Sequence, residues 1–531
     1  MDKELLITPS QNKGAQSTKT IGNPEIIFGI VGPIGVDIDG VVAALSKSLQ
    51  SVNYNTNTIH LTKFIKDPRI EIEIDESSYF KRYKSLIEYG NEFRKLANSA
   101  NAMAAIGIAK IRERRTDLTQ DVEQPAFGHA YIVRQFKRTE EVELMRQVYG
   151  RKFIQVSVFG SPADRRRILI EKIRSYNSSP KSDAQCETEA IELIDMDHNQ
   201  KDDDNGQRLS EVFHLGDVFV DGINRDKAEE TIDRFIRAFF GDTSVSPTKD
   251  EYGLYIATAA ALRSVDLSRQ VGAAIFSKRG EVISLGCNEV PKADGGTYWS
   301  DDDQPPVRDI EWGRDPNQER KNEIIYDLLD RMFDEGLLSD KLGSMEDGQK
   351  RVDSLLASKK IRDAQLLDII EFGRIIHAEM SAISDAARLG RATAGASLYC
   401  TTFPCHLCAK HIVAAGMDRV VFLEPYPKSY AQKLHPDSIT FDPADRSRVL
   451  FQPFMGISPR RYRDIFEKKK RKDAEGKAIS WYEKVPTPRL EDRSGSYVEN
   501  EEGAMVSALK NLFQSSAPAD EADNPSNLES S

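Results

Sequence analysis

The residues best suited to chemistry lie in the segment 374–416, where one histidine and two cysteines have the spacing of metal ligands. His377 is followed two residues later by Glu379, and the later sequence P-C-H-L-C supplies Cys405 and Cys408. Imidazole and thiolate are common zinc ligands, and three protein ligands leave the fourth position of a tetrahedral zinc open for water. The spacing therefore predicts a catalytic zinc site.

Glu379 is the candidate proton carrier of this site. Zinc lowers the pKa of a bound water to near neutrality, and a neighbouring carboxylate can take up and deliver its proton. H-x-E followed by P-C-x-x-C is the signature of zinc deaminases. The alternative is a structural site closed by His406 or His411, but this leaves Glu379 without a role and needs a ligand from the wrong face of the helix.

Two helices and a strand must position these groups. A run of apolar residues with helical period follows His377 and ends at Gly390, and another follows Cys408 and ends at Gly416. Residues 397–403 between the two runs have the pattern of a buried strand. Both motifs are therefore predicted at helix N-termini, where free N–H groups and the helix dipole favour thiolate.

The segment resembles the deoxycytidylate deaminases of the zinc-dependent cytidine deaminase superfamily. The similar stretches are H-A-E-M-S-A-I, L-Y-C-T-T-F-P-C-H-L-C-A-K and I-V-A-A-G-M-D-R-V-V-F. Residues 261–275 are similar to the family's first helix and first strand. The loop C-N-E-V-P at 287–291 stands where the family usually has Asn-Gly-x-Pro, with Glu289 replacing the glycine.

This resemblance implies a cytidine-deaminase-like three-layer αβα domain that converts a free deoxycytidine nucleotide to the deoxyuridine form. Glu379 is expected to pass the proton of water to the ring N3 while C4 is attacked, and later to help ammonia leave. The resemblance also implies these substrate contacts: Arg263, Arg269, Gln270 and Asn288.

Length and composition fit a protein of several domains. A chain of 531 residues exceeds one hydrophobic core, so two or three domains are expected. Five cysteines argue against a disulfide framework, and no apolar run is long enough to cross a membrane. With no signal-peptide core at the N-terminus, a cytoplasmic protein is expected. The net charge of −11 disfavours an overall electrostatic attraction to nucleic acid.

The N-terminal half begins with the layout of a phosphate-binding loop. Residues 26–49 have the pattern of a buried strand, a turn and an amphipathic helix, a layout in which backbone N–H groups can bind an anion. A Walker A loop ends in Gly-Lys-Ser/Thr, whereas this chain has Asp-Ile-Asp. A purely structural strand, turn and helix is an equal alternative. The phosphate-loop-like residues are Gly32, Gly35, Asp37 and Asp39.

Alternating strands and helices continue after this loop and predict a parallel sheet. Their order resembles that of small-molecule P-loop kinases, in which an arginine-rich segment covers the phosphates. The strand expected to end in an acidic magnesium ligand instead ends in Arg134 and Gln135, so a degenerate, regulatory domain is expected. Two interpretations of the next arginines have equal weight: they contact phosphate, or they lie on a solvated helix face. These arginines are Arg165, Arg166 and Arg167.

The predicted fold class is α/β, with a P-loop-like parallel sheet domain followed by the deaminase domain. A polar insertion is expected at about 175–207 within the first domain, and an insertion at about 294–373, serving as a lid or an oligomer contact, within the second. The predicted divisions of the chain are a flexible N-terminus (1–23), the P-loop-kinase-like domain (24–245), the deaminase domain (246–503) and a disordered acidic tail (514–531).

The fusion of these domains resembles bacterial antiphage deaminases that deplete dCTP. This resemblance implies control by a small inhibitory RNA. A regulatory nucleotide at the N-terminal domain and a homo-oligomer are the other partners expected. Three alternatives remain open: a deaminase that edits single-stranded nucleic acid, a housekeeping dCMP deaminase that supplies dUMP, and a binding module with an inactive zinc site. The sequence also leaves open whether dCMP or dCTP is the substrate.

Overall fold

The computed structural model describes residues 23–514 except 65–66, 177–180, 199, 201–202, 204, 303–304, 363, 427, 469, 480, 482–485 and 491–495. The predicted flexible N-terminus and acidic tail therefore lie almost entirely outside the described residues. The strands are β1 (Ile26–Val31), β2 (Asn55–His60), β3 (His129–Arg134), β4 (Phe153–Phe159), β5 (Val218–Asp221), β6 (Gly272–Phe276), β7 (Val282–Cys287), β8 (Ser397–Thr402), β9 (Arg419–Glu424), β10 (Ile439–Thr440), β11 (Val449–Pro453) and β12 (Gly456–Ile457).

Helices fill most of the chain between the strands. The α-helices are α1 (Ile38–Ser51), α2 (Tyr79–Ala97), α3 (Ala102–Thr119), α4 (Thr139–Tyr149), α5 (Pro162–Tyr176), α6 (Asp183–His198), α7 (Leu209–Val212), α8 (Arg225–Phe239), α9 (Lys249–Ala261), α10 (Asp309–Trp312), α11 (Pro316–Asp334), α12 (Asp340–Gly343), α13 (Gly348–Leu356), α14 (Lys359–Arg362), α15 (Ala378–Arg388), α16 (His406–Ala414), α17 (Ala431–Leu434), α18 (Tyr462–Phe466) and α19 (Tyr497–Gln514).

The chain divides into two compact units, each built on a mixed α/β plan. The first unit contains residues 1–246 and 456–531, and the second contains residues 247–455. The predicted α/β class is confirmed. The sequence placed residues 246–503 together, whereas the structure groups the described residues after 455 with the first unit.

Long-range contacts attach these later residues to the first unit. Strand β12 pairs antiparallel with β5. Buried Arg461 donates a hydrogen bond from Nε to Asp217 Oδ1 at 3.1 Å and another from Nη2 to the Phe153 carbonyl oxygen at 2.7 Å. In α19, buried Glu501 accepts hydrogen bonds from Arg115 at 2.6 and 2.7 Å. Contacts between residues so far apart in sequence leave no local pattern to detect.

The first unit is organised around a sheet with the strand order β12-β5-β4-β1-β3-β2. All pairs are parallel except β12 with β5. Every residue of β1 is buried, as expected for a central parallel strand covered on both faces. The parallel sheet predicted for this part of the chain is therefore present.

The predicted polar insertion at 175–207 contains helix α6, which packs against α5. Its apolar stripe is narrow and consists of Cys186, Ala190 and Leu193, which are buried against Leu169 and Ile173 of α5. These three positions have helical spacing, but acidic residues surround them in the sequence. The acidic residues of this segment indicated a polar insertion, although the segment contains a helix packed against α5.

The second unit is organised around a sheet with the order β10-β11-β9-β8-β6-β7. Strands β6 and β7 form an antiparallel hairpin. Strand β8 pairs antiparallel with β6 and parallel with β9. The carboxyl ends of β8 and β9 therefore lie side by side at one edge of the sheet.

Helices cover both faces of this second sheet. Gly272 and Gly286 face opposite sides, because Ala273 pairs with Gly286 and successive residues of a strand alternate. A Cβ on Gly272 would collide with the Ala257 backbone of α9, and one on Gly286 would collide with the Ala378 backbone of α15. Glycine at these positions lets α9 approach one face closely and α15 the other.

The insertion at 294–373 contains a small helical subdomain. Ile325 and Leu329 of α11 are buried against Val352 of α13. The segment 349–372 is divided into α13, α14 and a 3₁₀ turn. This division lets Leu367 pack against the same apolar cluster.

Candidate active site

The three predicted zinc ligands meet at the N-termini of two helices. His377 is the N-cap of α15, Cys405 is the N-cap of α16, and Cys408 lies in the first turn of α16. The His377 Nδ1 atom lies 3.3 Å from Cys405 Sγ and 3.4 Å from Cys408 Sγ. A tetrahedral zinc with bonds of about 2.3 Å to sulfur and 2.0 Å to nitrogen separates such atoms by roughly 3.5 Å. The donor set therefore fits zinc.

The alternative ligands lie outside this cluster. Among the described residues, the ligand atoms within 4.8 Å of one another are those of His377, Cys405 and Cys408. The ring of His406 is directed to Glu371, with Nε2 3.5 Å from Oε1. In the described part of the chain, the geometry thus offers three ligands, the number that leaves one zinc position open.

The helix N-terminus favours a thiolate at Cys405. The Cys408 backbone N–H donates to Cys405 Sγ at 3.4 Å. The hydrogen bond from the Cys408 side chain is the largest cause that lowers the pKa of Cys405 to about 4, and His377 adds to it against the effect of burial. A thiolate is the form that binds metal.

Glu379 lies in the first turn of α15 and is buried beside the ligands. Burial raises the pKa of its carboxyl group, and the charge on Cys405 raises it further. A carboxyl group with a raised pKa can exchange a proton nearer to neutral pH, as general acid–base chemistry requires. The site thus places a carboxyl group with a raised pKa beside the three ligands.

A cavity of about 240 Å³ opens beside these residues. It lies where the carboxyl ends of β8 and β9 meet, the usual ligand position on an open α/β sheet. The insertion also contributes to its wall, through Asp309, Asp315, Asn317, Ile370 and Gly373. Lining residues that the sequence analysis did not single out include Asp266, Phe403, Tyr426, Asp309, Asp315 and Asn317. Phe403 and Tyr426 directly follow the ends of β8 and β9, a position that could have identified them.

Asn288 lines the cavity and connects three parts of its wall. Its Nδ2 atom donates to Asp266 Oδ2 at 2.9 Å and to the Arg269 carbonyl oxygen at 3.2 Å. Its Oδ1 atom accepts from the Ala378 backbone N–H at 3.0 Å. Asn288 thus fixes the start of the helix that carries Glu379.

Of the other three predicted substrate contacts, Arg269 lines the cavity, whereas Gln270 and Arg263 do not. Arg269 lines the cavity and forms an ion pair with Glu424. Gln270 donates from Nε2 to the Ser264 carbonyl oxygen at 2.8 Å and is not among the described residues that line the cavity.

Arg263 also lies outside the lining of the cavity. Its Nη2 atom donates to Thr297 Oγ1 at 2.7 Å, and its guanidinium stacks 3.6 Å from the ring centre of Trp299. These contacts connect Arg263 to the segment after β7.

The phosphate-loop-like residues of the first unit lie between β1 and α1. Gly32 and Gly35 fall in the turn, and Asp37 caps α1 by accepting from the Gly40 N–H at 2.8 Å. Asp39 pairs with Arg134, whose hydrogen bond is the main cause that lowers the pKa of Asp39. Both carboxylates therefore have roles in the protein itself.

The three consecutive arginines of α5 have different environments. Arg165 is buried, and its Nε atom donates to the Ile34 carbonyl oxygen at 2.9 Å. Arg166 and Arg167 are exposed and form surface ion pairs with Glu187 and Glu171. Only Arg165 contacts the loop after β1, while the other two lie on the solvated face that was the alternative interpretation.

Within the described residues, none of the helices has both the length and the apolar character needed to span a membrane.

Known proteins are similar to the second unit over part of its length. Residues 247–424 match the model of the cytidine and deoxycytidylate deaminase zinc-binding region. ComE operon protein 2 of Bacillus subtilis (strain 168) is 45% identical over 62 residues, 12% of this chain and 33% of that protein. Deoxycytidylate deaminase of Enterobacteria phage T2 is 46% identical over 54 residues, 10% of this chain and 29% of that protein.

A longer match and one solved structure complete the comparison. Deoxycytidylate deaminase of Pongo abelii is 24% identical over 212 residues, 40% of this chain and 78% of that protein. The dCMP deaminase of cyanophage S-TIM5, solved with dCMP and dUMP, is 17% identical with a TM-score of 0.22 over 39% of this chain and 98% of that chain. The chain spans about a third of the first two relatives. Residues 247–424 are thus similar to the zinc-binding region of the cytidine and deoxycytidylate deaminases, and zinc is the cofactor of that region.

Proposed function

We propose that this protein removes the C4 amino group of a free deoxycytidine nucleotide by hydrolysis, with zinc held by His377, Cys405 and Cys408. The position of Glu379 carries the proposal. A buried carboxyl group with a raised pKa lies in the wall of the cavity together with His377 and Cys405. A purely structural metal site has no use for such a group.

The proposed reaction uses Glu379 twice as a proton carrier. Zinc, when bound, would lower the pKa of a water molecule enough for it to lose a proton near neutral pH. The Glu379 carboxylate accepts the proton of this water as its oxygen bonds to C4, and passes that proton to N3 of the ring. It next transfers a proton from the new hydroxyl group to the departing amino group, so that cytosine and water become uracil and ammonia. General acid–base catalysis of this kind contributes roughly 10²- to 10⁴-fold to a rate.

The cavity and the charge of the chain support a free nucleotide as substrate. A volume of about 240 Å³ lies below the roughly 300–1,000 Å³ of drug-sized pockets, which suits one nucleoside-sized group. The net charge of −11 offers little attraction for a nucleic acid backbone. Arg269 in the wall of the cavity is the proposed phosphate contact. The proposed substrates are dCTP, dCMP or both.

The wider role that we propose is depletion of dCTP in defence against phage. It rests on the resemblance of the sequence to antiphage deaminases, which is motif-specific in the deaminase half. The first unit is proposed to regulate deamination without transferring phosphate. A kinase needs cationic charge on the transferred phosphoryl group, whereas here the carboxylates Asp37 and Asp39 follow the loop at the start of α1, and residues 32–39 include no lysine.

A substrate panel tests the function. Purified full-length protein is incubated with dCMP, dCTP, cytidine or single-stranded DNA, and the products are separated by chromatography. We expect deoxyuridine nucleotides from dCMP, dCTP or both. The Asp195→Ala variant, which changes an exposed residue, should give the same products as the wild type. Deamination of single-stranded DNA without reaction of either nucleotide would instead establish an editing enzyme.

A further inference from the structure

The loop between β1 and α1, residues 32–36, is bound by a carboxylate of the protein itself. The Ile34 backbone N–H donates to Asp197 Oδ2 at 2.6 Å. Asp197 lies near the end of α6 and is buried. Backbone N–H groups in a loop between a strand and a helix are the groups that bind phosphate oxygens in nucleotide sites. In this protein a carboxylate oxygen takes that position.

Lys137 binds the same carboxylate from another direction. Its Nζ atom donates to Asp197 Oδ1 at 2.6 Å and to the Gly32 carbonyl oxygen at 2.8 Å. Lys137 follows β3 and is itself buried. The loop lacks a lysine of its own, but a lysine from elsewhere in the first unit reaches it.

Arg165 brings a second buried cation to this place. Its Nε atom donates to the Ile34 carbonyl oxygen at 2.9 Å, while Nη2 lies 4.0 Å from Asp197 Oδ2. Nη2 is buried and has no hydrogen-bond partner among the described residues. A simple ion pair needs one cation for one carboxylate. Here Lys137 and Arg165 both lie beside the Asp197 carboxylate, and the Nη2 group of Arg165 donates no hydrogen bond to the described residues.

We propose that the Ile34 N–H, Lys137 and Arg165 form an anion site suited to a phosphate group, and that Asp197 occupies it in place of a ligand. A phosphate carries more charge and more acceptor oxygens than a carboxylate, so it can also satisfy the unused Arg165 donor. While α6 keeps Asp197 in position, phosphate is excluded. The site therefore binds a phosphate-bearing ligand only when this carboxylate is removed.

The experiment measures how phosphate affects the Asp197→Ala variant of the full-length protein. Removal of the carboxylate leaves two buried cations without an anion, which is unfavourable unless an external anion takes its place. A ligand that binds only the folded state raises the unfolding temperature as its concentration rises. We expect orthophosphate, at constant ionic strength, to raise the unfolding temperature of Asp197→Ala but to have much less effect on the wild type. By calorimetric titration, we expect binding to the variant at least about tenfold tighter.

Two controls assign the effect to this site. Asp195→Ala removes an exposed carboxylate from the same helix, so its response to phosphate should equal that of the wild type. Adding Lys137→Ala to Asp197→Ala should abolish the response. ATP in place of orthophosphate distinguishes a nucleotide site from a site that admits only the free ion, because ATP should compete with orthophosphate in the first case only.

Asp197→Asn provides a second variant in case Asp197→Ala does not fold. It keeps the size of the side chain and an acceptor oxygen but loses the charge. A phosphate response in either variant supports the proposal. The proposal is wrong if both variants fold without such a response, if the wild type binds phosphate equally well through Lys137, or if both variants remain unfolded even with phosphate present.

Discussion

The side-chain oxygen of Asn288 accepts a hydrogen bond from the backbone N–H of Ala378 at 3.0 Å. Ala378 lies between His377 and Glu379, so this contact fixes the turn that presents both groups. The same side chain donates to Asp266 Oδ2. One amide thus connects the end of β7, the segment before β6 and the start of α15.

Asn288→Ala should therefore lower turnover and reduce the free energy of unfolding by about 1–3 kcal/mol, the cost of an unsatisfied buried N–H group. Turnover and denaturant unfolding are measured on the same preparation. Gln270→Ala is the control, because the Gln270 side chain donates to the Ser264 carbonyl oxygen and, among the described residues, lies outside the lining of the cavity. Equal loss of turnover in both variants would contradict this positioning role.

The zinc motif could be predicted from the sequence because its residues and the helices and strand that position them lie within one short segment. His377, Cys405 and Cys408 lie close together in the chain, and the helical and strand periods around them are clear. The insertion residues in the wall of the cavity could not be predicted in this way. Asp309 reaches the cavity through the fold, far in sequence from Cys405.

Two further features of the first unit escaped the sequence analysis for the same reason. The attachment of Arg461 to Asp217 joins residues that are far apart in the chain. Asp197 lies in a stretch whose acidic composition suggested a solvated insertion. Sequence pattern detects an element when its own periodicity is strong, but it does not reveal which distant partner a single charged residue meets.

Replacement of a zinc ligand should remove metal and activity together. Cys405→Ser, Cys408→Ser and His377→Ala each leave two of the three ligands, so metal analysis should find little zinc and no turnover. Cys400→Ala is the matched control, because Cys400 is buried in β8 outside the ligand cluster. Zinc retained at the wild-type level in a ligand variant would show that the ligand is wrongly assigned.

Arg269→Ala should weaken the binding of a nucleotide more than that of the nucleoside. Arg269 is the arginine that lines the cavity among the described residues, and a hydrogen bond to a charged group contributes about 1.5–3 kcal/mol, or roughly a 10- to 100-fold change in KM. KM values for dCMP and deoxycytidine are compared. Arg263→Ala should affect both substrates equally, since Arg263 holds Thr297 and Trp299. An equal effect of Arg269→Ala on both substrates would make Arg269 structural.

Arg115→Ala should strongly destabilise the first unit. Arg115 is fully buried and pairs with both Glu25 and Glu501. Its loss removes the cation bound to Glu25 and leaves Glu501 with the longer pair to Arg112, at 3.5 Å. Removing one partner of a buried ion pair typically costs about 3–5 kcal/mol. Arg114→Ala, which breaks a surface pair with Asp117, should cost less than about 1 kcal/mol. Denaturant unfolding of the two variants measures this difference, and similar costs would show that the buried cluster does not stabilise the unit.

The proposed role of Glu379 is tested most directly by zinc content and turnover measured together in Glu379→Gln. The amide keeps the size of the side chain but cannot accept and return a proton. We predict zinc at the wild-type level and turnover of dCTP or dCMP reduced by roughly 10²- to 10⁴-fold. Loss of zinc from the variant, or turnover close to that of the wild type, would contradict the assignment of Glu379 as the proton carrier.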